Sequence, residues 1–202
     1  MRITETKRLG FSDPCMLWLN EPPSWHAEGE ALEIVTGART DFWQGTHYGF
    51  RRDDGHVFGL EIEGDFRVET RVAFAGRAQY DQCGLMVRAD AHAWIKCSAE
   101  YESPTLSRVG SVATRRGFSD WATQDVETAL TCMRYRISRC DADFLIEAAF
   151  DGQPWKQLRI CHLDDCPPTL FVGPYACSPI GEAFRCRFEF LELGPTAWSR
   201  PE

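Results

Sequence analysis

The feature that most constrains this chain is a period of two. Residues 66–74, FRVETRVAF, alternate apolar and polar side chains without a break. Successive side chains on a strand point to opposite faces, so Phe66, Val68, Thr70, Val72 and Phe74 share one side and Arg67, Glu69, Arg71 and Ala73 the other. The pattern returns at 184–190, where Phe184, Cys186, Phe188 and Phe190 alternate with Arg185, Arg187 and Glu189. Shorter versions occur in ALEIVT (31–36), RYRISR (134–139), DFLIEAAF (143–150), WKQLRI (155–160) and TLFVGPYA (169–176). Asp151-Gly152, Pro167-Pro168 and Ser178-Pro179 punctuate them, and no stretch sustains a helical period. About ten to twelve short strands with one buried face each predict an all-β fold, an antiparallel β-sandwich or jelly roll. The length of 202 residues suits one such domain, with loosely attached segments expected at about 1–13 and 195–202.

Composition removes several function classes. No apolar stretch approaches bilayer length, so no membrane partner is expected. A formal charge of -8 and a pI near 5.2 oppose binding to a phosphate backbone, so nucleic acid is not expected either. The N-terminal stretch lacks the apolar core of a signal peptide, and a cytoplasmic location follows as the expectation. Nine cysteines, an odd number with no CxxC pair, read as reduced thiols, several of them in apolar strand patterns. Cys161-His162 with Asp164, Asp165 and Cys166 lacks a second half for zinc, and Asp53-Asp54-Gly55 and Asp141 with Asp143 fall short of a calcium loop. Neither a metal nor a cofactor is expected.

The candidate surface lies in residues 80–101, YDQCGLMVRADAHAWIKCSAEY, two strands joined by a polar turn. In the second strand Ile95, Cys97, Ala99 and Tyr101 fall on one side, and Trp94, Lys96, Ser98 and Glu100 on the other. If the strands pair, Gln82, Met86 and Arg88 join that second face. A tryptophan ring can stack on a sugar while Gln, Lys and Glu hydrogen-bond its hydroxyls, which is the chemistry of a carbohydrate cleft. The bland alternative is a Lys96–Glu100 pair on a solvated sheet. Arg136, Glu147 and Arg187 are further candidates, each on the polar side of an apolar strand, with the arginines able to hold Glu100 or Glu147 ionised. For a glycosidase, Glu100 with Glu147 is the carboxylate pair to nominate. Residues 40–56, TDFWQGTHYGFRRDDGH, read as a long ordered loop anchored by Trp43 and Tyr48, with a tight turn at Asp54-Gly55. Ser119-Asp120-Trp121 reads as a turn with Trp121 as lid or anchor.

These pieces together resemble the DUF1349 family. The resemblance is carried by TDFW (40–43), YDQCGLMVR (80–88), WIKCSAEY (94–101), SDW (119–121), RISR (136–139), DGQPW (151–155) and GPYACSP (173–179), and spans about Trp18 to Leu193. It implies a concanavalin-A-like jelly roll, a fold shared with lectins, carbohydrate-binding modules and glycoside hydrolases. One branch of the family is associated with regulation of enolase, which implies a protein partner. The leading expectation is a non-enzymatic module that binds a carbohydrate or similar polyhydroxylated metabolite on a concave face through Gln82, Arg88, Trp94, Lys96, Glu100, Arg136 and Glu147. The alternatives are a regulatory protein-interaction domain influencing central metabolism, and a hydrolase- or lyase-like enzyme using Glu100.

Overall fold

In the computed structural model, residues 1–199 are described. The strands run β1 (Lys7–Leu9), β2 (Leu17–Leu19), β3 (Ser24–Glu28), β4 (Ala31–Val35), β5 (Phe42–Gln44), β6 (Arg51–Asp53), β7 (His56–Glu63) and β8 (Phe66–Phe74). They continue with β9 (Gln82–Asp90), β10 (Ala93–Ser103), β11 (Leu106–Arg115), β12 (Phe118–Val126), β13 (Cys132–Cys140), β14 (Asp143–Ala149), β15 (Lys156–His162), β16 (Thr169–Cys177) and β17 (Arg185–Gly194). One antiparallel sheet has the order β12-β11-β10-β9-β16-β7-β2. The other runs β15-β14-β13-β8-β17-β4-β3, with β1 also pairing β17. The two sheets form a β-sandwich, as the alternation predicts, and its jelly roll is concanavalin-A-like, as the family resemblance implies. No helix among the described residues is long and apolar enough to cross a membrane.

Alternation places the core. Phe66, Val68 and Val72 of β8 and Ile137 and Tyr135 of β13 line one sheet's inner face, and Leu85, Val87, Ile95 and Cys97 line the other's. All are fully buried. Strand β17 follows its expected phase through Phe184, Cys186 and Phe188, but a register shift between Phe188 and Phe190 moves the buried positions to Leu191 and Leu193. Phe190 is thereby turned out of the core, and the Arg8 guanidinium sits 4.3 Å from its ring centre. A bulge of this kind shifts the alternation by one residue, which a pure period-two reading passes over.

Other local expectations differ from the structure. Residues 119–121 are in strand β12 rather than a turn; the reversal lies at Arg116-Gly117, where both residues have positive φ (51° and 75°), the geometry of a two-residue hairpin. Residues 40–56 contain the short hairpin β5–β6, whose reversal uses positive φ at Gly45, His47 and Gly49 instead of at Asp54-Gly55. At Gly55 the need is for space: a Cβ there would collide with the Phe42 ring and the Cys177 sulfur. The polar opening segment is tied down, since Lys7–Leu9 pairs β17 and Ile3, Leu9 and Phe11 are buried in the core. Residues 195–199 carry no regular structure, and the rest of the expected loose tail, 200–202, lies outside the described residues. The nine cysteines are unpaired, with Cys83, Cys97, Cys177 and Cys186 buried.

Candidate functional site

The candidate site lies on the outer face of the first sheet, the side away from the core. Strands β9 and β10 pair with Gln82 opposite Glu100, Met86 opposite Lys96 and Arg88 opposite Trp94. Strand β16 brings Tyr175 and Cys177 alongside, and β11 brings Val112 next to Lys96. Hairpin β5–β6 folds over this face. Its Phe42 and Trp43 complete a second apolar cluster with Val57, Met86, Trp94, Val112, Tyr175 and Cys177. The hairpin is held by Arg88, which donates two hydrogen bonds to Asp53 (2.7 and 2.8 Å), and by Ser119, whose hydroxyl accepts from the Gln44 amide at 2.9 Å. His56 clips the approach to it: one ring nitrogen donates to the Asn20 carbonyl (2.6 Å) and the other accepts from the Gly37 amide (2.9 Å). Burial holds His56 below its usual range, in keeping with that neutral state.

Covering a polar sheet face puts charges out of water. Lys96 is 2% exposed. Its ammonium donates to the Phe42 carbonyl (3.0 Å) and to Gln82 Oε1 (2.7 Å), and lies 3.6 Å from Asp41. The Trp94 and Tyr175 ring centres stand 5.7 and 5.6 Å from it. Tyr175 donates its hydroxyl to the same Gln82 oxygen at 3.1 Å. Glu100 is 7% exposed and forms no ion pair among the described residues; its carboxyl accepts one long hydrogen bond, from Ser98 at 3.4 Å. Burial pushes this carboxyl up to about 7, with Lys96 opposing the shift and Asp41 adding to it. A carboxyl raised in this way can donate a hydrogen bond when protonated and accept one when ionised.

Above these groups opens a cleft of about 390 Å³, walled by Trp43, Tyr48, Phe50, Tyr80 and Trp121, with Gln82, Lys96 and Glu100 among its lining residues. That volume falls in the range of small-ligand sites, roughly 300–1,000 Å³. The rings meet edge to face, Trp43 on Trp121 at 6.4 Å and on Tyr48 at 5.5 Å, while Tyr48 stacks on Phe50 at 5.7 Å. Such packing fixes a wall of ring faces and edges instead of a collapsed plug. A second depression of about 670 Å³ shares Trp43, Tyr48 and Trp121 with the first.

The structure brings three of the seven nominated binding residues, Gln82, Lys96 and Glu100, into this cleft. Trp94 is on the expected face but fully buried, packed edge to face on Phe42 at 6.1 Å beneath the hairpin, so it does not line the cleft and offers no face to a ligand. Arg88 is taken up by Asp53. Arg136 and Glu147 lie on the outer face of the other sheet, paired with each other at 2.7 Å beneath Trp155, whose ring centre is 4.3 Å from the Arg136 guanidinium. The nominated Glu100–Glu147 carboxylate pair thus sits on two different sheets and flanks no common space. Arg187 pairs with Glu33 rather than with either glutamate. Sequence reading missed Asp41, Phe50 and Tyr80 as wall residues. The signal for Asp41 is its place in TDFW, but its contact with Lys96 is non-local and comes only from the fold-back of that segment.

Together these features define a jelly-roll protein with one outer sheet face capped to make a ligand-sized cleft. The chain belongs to the DUF1349 family, described as a protein family of unknown function, whose pattern matches residues 18–196. It is 35% identical over 162 residues, 80% of each chain, to Regulation of enolase protein 1 of Saccharomyces cerevisiae. The crystal structure of a functionally unknown protein from Saccharomyces cerevisiae superposes with a TM-score of 0.86 at 30% identity, over 94% of this chain and all of that one. A xylan beta-1,4-xylosidase from Bacillus halodurans C-125 shares the fold at a TM-score of 0.68 and 12% identity, with 94% of this chain matching 39% of that one.

Proposed function

We propose that this protein binds a small polyhydroxylated ligand, a carbohydrate or a metabolite like one, without forming a covalent bond, in the cleft over β9 and β10. The observation that carries the reading is the buried Gln82–Lys96–Glu100 group beneath an aromatic wall. Ring faces suit the apolar side of a sugar, and a carboxyl poised near neutrality can give or take a hydrogen bond with a hydroxyl. The solved xylosidase with the same fold is in keeping with this choice of ligand class. Calorimetric titration with hits from a glycan and metabolite screen tests it. Tyr48→Ala and Trp121→Ala are expected to weaken binding about tenfold or more, and Glu147→Gln to leave it unchanged; binding that ignores the wall variants places the ligand elsewhere.

A second reading, a regulatory domain that engages a protein, draws on the name of the yeast relative. A reproducible complex between this protein and purified enolase supports it, and its absence across ionic strengths removes enolase as the partner. A hydrolase or lyase working through Glu100 would need a second group other than Glu147.

A further inference from the structure

Charge at the cleft is unevenly matched. Arg52 is committed to Asp54, through hydrogen bonds at 2.7 to 3.3 Å, and to the Arg39 carbonyl. Lys96 is committed to Asp41, Gln82 and the Phe42 carbonyl. Each cation lining the cleft therefore has its carboxylate, and Glu100 is left without a cation: more than nine-tenths buried, aimed at the cleft and held by a single long bond from Ser98. Around it stand five aromatic side chains, whose ring faces carry partial negative charge and attract cations. The formal charge of -8 on the whole chain favours the approach of a cation in the same sense.

We infer that the cleft selects a ligand bearing a positively charged nitrogen, with Glu100 as its counter-ion and the aromatic wall around it. The inference deepens the small-ligand reading above and rests on it. Amino sugars and methylated ammonium compounds share this chemistry. The groups that act on Glu100 are Lys96 and Ser98 of its own strand, Asp41 just before β5, Arg108 of β11, Tyr135 of β13, Tyr175 and Cys177 of β16, and Tyr80 before β9. None of them is a cation in direct contact with the carboxyl. A bound ammonium group would be, and it would hold Glu100 ionised, so binding releases a proton near neutral pH.

The test is NMR titration of the intact protein, following the tryptophan indole signals, with glucosamine against glucose and with choline against its neutral isostere 3,3-dimethylbutanol. At pH 8.5 choline is expected to bind about tenfold or more tightly than its neutral isostere, and glucosamine more tightly than glucose when the two sugars are compared at about pH 7, where its amine is protonated. For choline, whose charge does not titrate, the advantage should disappear at pH 5.5, where Glu100 is protonated. Glu100→Gln, which keeps shape and removes charge, should abolish it, while Glu147→Gln leaves it intact. Equal binding of charged and neutral probes, or an advantage that survives Glu100→Gln, overturns the inference. Binding of glucose and glucosamine alike overturns it while leaving the carbohydrate reading standing. Choline binding without either sugar supports the counter-ion role and removes the carbohydrate half of that reading. No binding by any probe at any of these pH values removes both.

Discussion

The two outer sheet faces of this jelly roll are written in the same alternating code and end up as different things. On the β13–β14 face, Arg136 meets Glu147, Arg67 meets Glu192, Arg71 meets Asp151 and Arg187 meets Glu33, four charge pairs open to water to some degree. On the β9–β10 face the hairpin β5–β6 covers the polar positions, so Lys96 and Glu100 lose their solvent and must find partners within the protein. Lys96 does and Glu100 does not. The difference teaches that the candidate cleft comes from covering a polar face, since the residues alone occur on both faces.

The comparison can be broken most severely at Lys96. Lys96→Ala would take the neighbouring cation from Asp41, leave the buried Phe42 carbonyl without its side-chain donor and leave the Gln82 oxygen with Tyr175 alone, and a loss of about 3–5 kcal/mol in urea unfolding is expected. A loss under about 1 kcal/mol would mean that the covered face behaves like the open one. Glu100→Gln should act in the opposite direction. A carboxyl raised from the ordinary value of 4.5 to about 7 binds more protons folded than unfolded, so its penalty is absent below about pH 4.5, grows as pH rises through about 7, and is complete above that. The variant is therefore expected to be more stable than the parent by about 2–3 kcal/mol at pH 8.5 and equal to it near pH 4. A variant less stable at pH 8.5 would show that Glu100 has a partner in solution.

On the other face the effects shrink. Arg136→Ala removes a partly exposed pair and a ring contact, and about 1 kcal/mol with no change in ligand binding is expected from unfolding and titration together. Arg187→Ala, from a pair with both partners half exposed, should leave the unfolding midpoint where it is. If either variant weakened ligand binding as much as Tyr48→Ala does, the assignment of the site to the β9–β10 face would fall.

Much of this architecture was legible in the sequence because alternation is a local property. The β8 face, the β10 face and the grouping of Gln82 with Lys96 and Glu100 follow from counting by twos and pairing neighbours. Strands of three residues, such as β1, β2, β5 and β6, are too short to show a period, and the bulge in β17 hides inside an unbroken run of alternating residues. What could not be read was non-local. Arg136 and Glu147 carry the same polar-side signature as Lys96 and Glu100, and only the sheet order separates them. Trp94 has the composition of a stacking platform, and only the arrival of Phe42, 52 positions earlier in the chain, covers it. Asp41 owes its place beside Lys96 to the same fold-back.

The position of the last strand has a consequence for how the protein comes into being. Strand β17 lies inside its sheet, between β8 on one side and β4 with β1 on the other, and β16 likewise separates β9 from β7. During synthesis neither sheet can close until its final strand leaves the ribosome, so β8 and β4 wait with open edges while more than a hundred residues are added. Pairings this distant in sequence make for slow folding. Residues 185–194 therefore act as the closing stitch of the sandwich, and a nascent chain halted before them should be held by chaperones or degraded instead of accumulating as a partial fold.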